Sequence, residues 1–139
     1  MGNLAEGQGA YAVGVPSIDA LHAELEERLA ALSRAGNDAQ QELSALQEHL
    51  QRHFGHEEAL MAQIDFPMAD CHGREHASVV EVVSEVQRRL AEGDAAPLAR
   101  LAPAMVEWFA MHAAGMDAVL AGSLRRAQAL DASSGPEAP

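Results

Sequence analysis

Histidines and carboxylates recur along this chain at spacings that place pairs of them on one side of a helix. The stretch HFGHEEALM carries His53 and Glu57 four positions apart, and HGREH carries His72 and His76 at the same spacing. Residues four apart project from the same side of a helix. One helix can thereby offer two ligands to one metal ion or to two neighbouring ions. Both pairs are therefore candidate metal ligands.

Two more histidines stand alone beside apolar stripes. His22 follows Leu21 and precedes Leu25 by three positions, and His112 lies four positions after Trp108. Each predicted helix therefore offers an imidazole from, or close to, its core-facing side. Burying five histidines and a glutamate in a small fold is costly without a compensating ion. The combined set favours a metal site over a collection of unrelated buried histidines.

Three neighbouring side chains are predicted to take no part in metal binding. His56 lies about 100° around the helix from Glu57, and Glu58 also lies off the face shared by His53 and Glu57. His49 is one turn before His53 and extends the same face. A solvated or structural role is the simpler interpretation for all three.

Other kinds of active site lack candidate residues. The chain has no Glu-x-x-His pair of the carboxylate-rich di-iron bundles, no Gly-rich phosphate loop and no Gly-x-Ser-x-Gly turn. No residue is predicted to be catalytic.

Four amphipathic segments must position the candidate ligands. Ser17 is predicted to cap the first helix, and Pro103 to kink the fourth or to begin it. Long helices joined by short loops predict an all-α fold, an antiparallel up-down four-helix bundle. Residues 1–12 are predicted to form an extended, partly disordered N-terminal arm, 13–126 the folded domain and 127–139 a disordered tail. By number, the helical segments run from about 17 to 36, 38 to 64, 68 to 90 and 98 to 120.

Composition limits the partners and the location. The 139 residues have a formal net charge of −12, which argues against nucleic acid and anionic membranes because the surface would repel phosphate. No apolar run approaches the length of a membrane span, and the first residues lack the pattern of a secretory signal. The single cysteine, Cys71, excludes an internal disulfide. A cytoplasmic location is therefore expected.

Taken in order, these residues resemble the metal-ligand pattern of the hemerythrins, and within them the single-domain bacterial kind. The matching segments are VGVPSIDALH, HFGHEEALM, FPMADCHGREH and WFAMHAAGMD. The resemblance runs from residue 13 to about residue 120 and fills every ligand position of that family with the family's spacing. The ligands that it implies are His22, His53, Glu57, His72, His76, His112 and Asp117.

The resemblance alone adds Asp117 to the candidate ligands. This residue lies five positions after His112, about 140° around an ideal helix, so a straight helix would not place both on one metal. The Ala-Ala-Gly segment at 113–115 is expected to allow a local distortion.

The resemblance also implies a function. It implies two iron ions bridged by an oxo or hydroxo group, with three histidines saturating one iron and with O2 as ligand at the other. It further implies a non-catalytic protein of O2 storage, delivery or sensing, a monomer or weak oligomer, working with an O2-consuming enzyme or a signalling protein. The apolar O2 pocket is predicted to be lined by Leu25, Phe54, Met61, Trp108, Phe109 and Ala113.

Three departures from the family pattern leave other functions open. Leu21 stands where a polar residue is common, Glu26 where an aromatic is common, and Ala113 where a bulky aliphatic is common. These changes are expected to enlarge or wet the pocket and to favour autoxidation. The alternatives are sensing or scavenging of nitric oxide or peroxide, weak peroxidase or oxidase activity, and iron storage or transfer.

Overall fold

The computed structural model describes residues 11–133, most of which form α-helices joined by short connections. A π-helical turn, Ala113–Asp117, joins the last two helices, so that both belong to one long interrupted helix. The helices are α1 Pro16–Ser33, α2 Ala39–Gln63, α3 Ala69–Ala91, α4 Ala96–His112 and α5 Ala118–Ser133.

The helices pack as a closed ring. α1 contacts α2, α2 contacts α3, α3 contacts α4, and α4 returns to α1. The connections between them are only a few residues long, as expected for antiparallel neighbours. The predicted all-α four-helix bundle is therefore confirmed. Within the described part of the chain, no helix is both long and apolar enough to cross a membrane.

The helix ends follow local backbone chemistry. α1 begins at Pro16, whose fixed φ suits the first helical position, and Val15 is the N-cap residue. The prediction that Ser17 caps this helix was wrong, because its hydroxyl instead bonds the ring of His56 at 2.8 Å. α2 ends where Asp65 takes a positive φ of 50°, which lets the next residue bond back into the last helical turn.

The structure describes only part of the predicted N-terminal arm and C-terminal tail. The last helix continues to Ser133, past the predicted limit at residue 126. Residues 1–10 and 134–139, which belong to the predicted arm and tail, lie outside the described residues. Pro103 lies within α4, which begins earlier, at Ala96.

The apolar core is divided into two clusters with polar residues between them. The larger cluster includes Leu25, Phe54 and Phe109, and the smaller consists of Ile18, Met61, Phe66 and Leu120. On α1, for example, Ile18 and Leu25 flank a buried histidine. This arrangement places a buried polar layer across the bundle, with apolar side chains on both sides of it.

Candidate metal centre

All seven side chains that the sequence singled out meet in the buried polar layer between the two core clusters. None is more than 4% exposed, so water does not solvate their charges. α1 supplies one of them, α2 two, α3 two, and the long fourth helix two. Listed in chain order, they are His22, His53, Glu57, His72, His76, His112 and Asp117.

The seven side chains form two overlapping groups. Within each group, the ligand atoms all lie within 4.8 Å of one another. One group has three histidines, and the other has His22 and His53. Glu57 and Asp117 belong to both groups. Each group offers enough nitrogen and oxygen atoms to bind one metal ion, and the two shared carboxylates would bridge the pair.

Glu57 turns one carboxylate oxygen toward each group. Its Oε1 lies 3.3 Å from His72 Nε2 and 3.1 Å from His76 Nε2. Its Oε2 lies 3.0 Å from His53 Nε2 and 3.7 Å from His22 Nε2. The carboxylate therefore spans the boundary between the two groups.

Asp117 spans the same boundary from the opposite side of the bundle. Its Oδ1 lies 3.1 Å from His72 Nε2 and 3.2 Å from His112 Nε2, and its Oδ2 lies 2.8 Å from His22 Nε2. The expected distortion between His112 and Asp117 is confirmed as the π-helical turn. Because a π turn bonds each residue to the fifth before it, this turn brings two side chains five positions apart to one side.

Two of the histidines are oriented by carboxylates on their outer nitrogens. His76 Nδ1 lies 2.9 Å from Glu58 Oε2, and His112 Nδ1 lies 2.8 Å from Glu75 Oε1. A carboxylate accepts hydrogen bonds, so each Nδ1 carries the proton and donates. Each inner Nε2 is then left with a lone pair, which is the form that binds metal.

His22 is oriented in the same way by the backbone. Its Nδ1–H donates to the carbonyl oxygen of Tyr11 at 2.8 Å. The Tyr11 ring packs on Phe109, with ring centroids 4.4 Å apart, which fixes this part of the N-terminal segment against the bundle. By contrast, the Nδ1 of His72 is buried and makes no hydrogen bond within the described part of the chain.

The outer nitrogen of His53 is met by another imidazole. His49, which is fully buried, places its Nε2 2.9 Å from His53 Nδ1. Its own Nδ1 lies 3.1 Å from Glu24 Oε2, close enough for a hydrogen bond but poorly aligned for one. Burial lowers the pKa of His49 to about 4, although contact with Glu24 opposes this effect. His49 belongs to neither ligand group.

The chemistry of the seven side chains fits a pair of cations. His76 Nε2 and His112 Nε2 face each other at 3.3 Å, and their outer nitrogens already carry the protons. The oxygens of Glu57 and Asp117 are acceptors as well, and Glu57 Oε1 makes no well-aligned hydrogen bond with any residue from 11 to 133. Acceptors facing acceptors in a buried site repel unless protons or metal ions lie between them.

The pKa values describe how protons balance the charge in the absence of metal. Burial alone would lower the pKa of His22 and His72, but their contacts with Asp117 and Glu57 raise it to about 10 and about 9 respectively. Burial opposes ionisation of the two carboxyl groups. Hydrogen bonds from the histidines nevertheless hold the pKa of Glu57 and Asp117 well below the ordinary values. Protons therefore occupy the place that metal ions would take.

The residues predicted to line an O2 pocket are spread around both groups. Phe54 stacks on His76 with centroids 3.9 Å apart, and Trp108 stacks on His112 at 4.5 Å. These two aromatic rings therefore cover the group with three histidines. Trp108 is only partly buried.

Of the other predicted lining residues, Phe109 contacts the group with two histidines. Phe109 meets the ring of His22 edge-on, with centroids 4.9 Å apart. Leu25 and Ala113 belong to the same core cluster as Phe109. Met61 lies in the other cluster, on the far side of the polar layer.

Sequence reasoning missed the residues that hold the ligands. The side chains of Glu58 and Glu75 are 47% and 38% exposed. The sequence placed Glu58 off the ligand face and gave no role to Glu75, yet each contacts a ligand on another helix. His49 was seen only as an extension of a helix face. A periodicity argument on one helix carries no signal for the contacts of Glu58 and Glu75, because the partner is on a different helix. The spacing of four did place His49 on the face of His53, but it gave no indication of the hydrogen bond between them.

Known proteins resemble this chain over most of its length. The family model described as "Hemerythrin HHE cation binding domain" matches residues 13–124, a range that contains all seven converging side chains. A bacteriohemerythrin of Ralstonia nicotianae is 38% identical over 109 residues, which cover 78% of this chain and 80% of that protein. No solved structure matches significantly.

Replacing Glu57 should remove both metal ions, whereas replacing His53 should remove mainly one. Glu57→Ala deletes an oxygen ligand from each group, but His53→Ala deletes a nitrogen from the four-residue group only. Metal content per chain after anaerobic loading with ferrous iron measures the difference. His56→Ala is the control and should retain the full content, because His56 contacts Ser17 rather than a ligand. Full metal content in Glu57→Ala would contradict the bridging assignment.

The metal-free protein should lose stability as the pH rises from about 6.5 to about 10. Histidines with a raised pKa stabilise the fold below their ordinary value of 6.5, and this contribution disappears as pH passes the values of about 9 and 10 of His72 and His22. The lowered pKa of His49 makes stability rise with pH mainly between about 4 and its ordinary value of 6.5, so His49 adds little slope above that value.

Thermal unfolding of chelator-treated protein at a series of pH values measures this dependence. Protein loaded with Zn²⁺ is the comparison, and it should keep its stability over the same range, because metal competes with protons and binds more tightly at higher pH. A metal-free unfolding temperature that stays flat or rises over this range would contradict the assigned charges.

Proposed function

Because this chain belongs to the hemerythrin family, we propose that it binds O2 reversibly at a pair of iron ions held by the seven converging side chains. The observation that carries the proposal is the unequal composition of the two ligand groups. One has three histidines and two carboxylates, and the other has two histidines and the same carboxylates. The second group therefore has one ligand fewer, which leaves a position for O2.

Family membership supports iron as the metal. Imidazole and carboxylate ligands suit several divalent transition metals, so the side chains alone do not favour iron over zinc or copper. An iron pair supplies, when bound, the electrons on which reversible O2 binding depends. The role of the chain is to hold the pair, to leave one position free, and to keep water away from it.

The charges around the site fit divalent metal ions. The site buries the negative charges of Glu57 and Asp117, and its histidines are neutral when they bind metal. Three further carboxylates lie at the outer nitrogens of buried histidines. Glu58 and Glu75 contact two of the ligands, and Glu24 contacts His49, which in turn contacts the ligand His53. With metal bound, several negative charges thus surround a centre whose buried histidines are neutral.

Apolar rings keep the histidines rigid and dry. Phe54 and Trp108 stack on two histidines of the larger group, and Phe109 packs against His22 of the smaller. Excluding water from such a site limits the protonation that would make O2 binding irreversible. Reversible binding is therefore better supported at this site than turnover of a substrate.

A cavity beside Ala113 is the candidate access route to the group with two histidines; none of the seven ligands lines it, but its wall includes Tyr11, whose carbonyl oxygen accepts a hydrogen bond from His22. The cavity has a volume of about 460 Å³ and lies between residues 11–13 and the junction of α4 with α5. Its lining includes Tyr11, which bonds His22, and several alanines. The small side chains leave space that a bulkier residue at position 113 would fill. O2 would pass through it, and so would water.

This cavity also favours a second candidate function. Water near the open position would promote oxidation of the iron pair. The sequence led to the same expectation, because the small side chain of Ala113 leaves room for water. A centre that oxidises readily would suit sensing or scavenging of nitric oxide or peroxide, or weak oxidase or peroxidase activity, better than O2 storage or delivery.

Absorption spectra of the ferrous protein distinguish the candidates. The anaerobically loaded protein should gain an oxygenated band in air and lose it again when O2 is removed. His56→Ala should behave identically, and Glu57→Ala should show no band. Immediate and permanent conversion to the ferric spectrum would contradict reversible O2 binding and favour the second candidate. Stable binding of iron without any response to O2 would favour iron storage or transfer.

Filling the cavity should slow autoxidation. Ala113→Leu places a larger side chain between the N-terminal segment and the open position, and should lower the rate of ferric conversion several-fold. Ala99→Leu, on an exposed face of α4 outside this cavity, is the matched control and should not change the rate. An equal rate in both variants and the unmodified protein, with folding confirmed by circular dichroism, would show that the cavity is not the route for water.

A further inference from the structure

His49 occupies a position that its burial alone does not explain. It is fully buried on α2, one turn before His53, and its Nε2 lies 2.9 Å from His53 Nδ1. The two rings meet edge to face, with centroids 5.0 Å apart. A polar ring in this environment requires partners for both nitrogens.

The direction of the hydrogen bonds follows from the role of His53. If Nε2 of His53 binds metal, its Nδ1 carries the proton and donates to His49 Nε2. His49 must then carry its own proton on Nδ1, which faces Glu24 Oε2 at 3.1 Å. Glu24 is in turn held by Arg52, whose Nη2 lies 2.7 Å from the same oxygen. One chain of contacts therefore leads from a buried ligand to the surface.

We propose that His49 is a positioning residue that fixes the metal-binding tautomer and ring orientation of His53 and connects it to the carboxylate of Glu24. The proposal rests on the proposed function only in requiring a metal ion at the group containing His22 and His53. It does not require that the ion be iron or that O2 bind.

The other oriented ligands show why an intermediary is needed here. His76 and His112 meet their carboxylates directly, at 2.9 and 2.8 Å, across a helix interface. For His53 the carboxylate is on α1, and His49 fills the distance between them. Through His49, the Nδ1 of His53 therefore gains a hydrogen-bond acceptor that is itself next to a carboxylate, in a relay His53–His49–Glu24. An acceptor backed by negative charge strengthens a histidine ligand.

A competing interpretation is that His49 only fills space in the core. In that case a leucine of similar size would serve equally well, and the hydrogen bond to His53 would have no consequence for metal binding. Glutamine distinguishes the two interpretations, because its amide oxygen can accept from His53 and its amide nitrogen can donate to Glu24.

The decisive experiment titrates the metal-free protein with Zn²⁺ in competition with a chelator. His49→Leu should weaken binding of one of the two Zn²⁺ ions by about 10- to 100-fold. His49→Gln should stay within a few-fold of the unmodified protein. His56→Leu, on the same helix but away from the ligands, is the matched control and should bind both ions normally.

A spectroscopic measurement tests the tautomer itself. In Zn²⁺-loaded protein labelled with ¹⁵N, the Nδ1–H of His53 should give a slowly exchanging signal in the unmodified protein and in His49→Gln. In His49→Leu the signal should shift and exchange with water much faster. Space-filling alone would not move it. Glu24→Gln, which keeps the shape and removes the charge, should weaken binding of the same Zn²⁺ ion by a smaller factor. Combining it with His49→Leu should weaken that binding little further than His49→Leu alone.

Several results would overturn the proposal. Unchanged Zn²⁺ affinity and an unchanged His53 signal in His49→Leu would do so, as would equal loss in the leucine and glutamine variants. If His49→Leu does not fold, the glutamine variant and Glu24→Gln decide, and an unchanged affinity in Glu24→Gln excludes the relay. Failure of reversible O2 binding in the iron-loaded protein would overturn the proposed function but leave these Zn²⁺ results intact.

Discussion

The structure depends on two carboxylates that are buried among histidines. Glu57 and Asp117 are fully shielded from solvent, and each divides its two oxygens between two groups of imidazole nitrogens. Burying such charges is favourable only when positive charge lies between them. Protons can supply it, and two metal ions supply it better. The division of the core into two apolar clusters follows, since the polar layer must cross the whole bundle.

The outer surface of this layer matters as much as its interior. The inner nitrogens of the histidines can bind metal only if the outer nitrogens hold the protons, and a carbonyl, two carboxylates and a second histidine provide that condition. The carboxylates are partly exposed, so they keep most of their hydration and cost less to ionise than buried ones would. Glutamates on the surface of the bundle thus orient histidines of the buried site.

Helical periodicity predicted part of this arrangement and could not predict the rest. The pairs His53 with Glu57 and His72 with His76 follow from a spacing of four, and both pairs do face inward. Asp117 follows only from the family resemblance, because an ideal helix turns it away from His112. The structure supplies the reason in the π turn, whose hydrogen bonding changes the spacing from four to five. Ser17 shows the opposite case, in which a local capping rule gave way to a contact with another helix.

The sequence by itself determined the fold class, the helices, and the side chains that would point into the bundle, because these depend on the order of residues within single helices. The tertiary structure decided which carboxylate oxygen faces which histidine, and which surface group orients each ring. His49 and Glu58 were set aside on sequence grounds, yet both contact a ligand. The contact of Glu58 with His76 and that of His49 with Glu24 depend on how neighbouring helices are rotated and offset against each other, and that geometry is fixed only when the whole core packs.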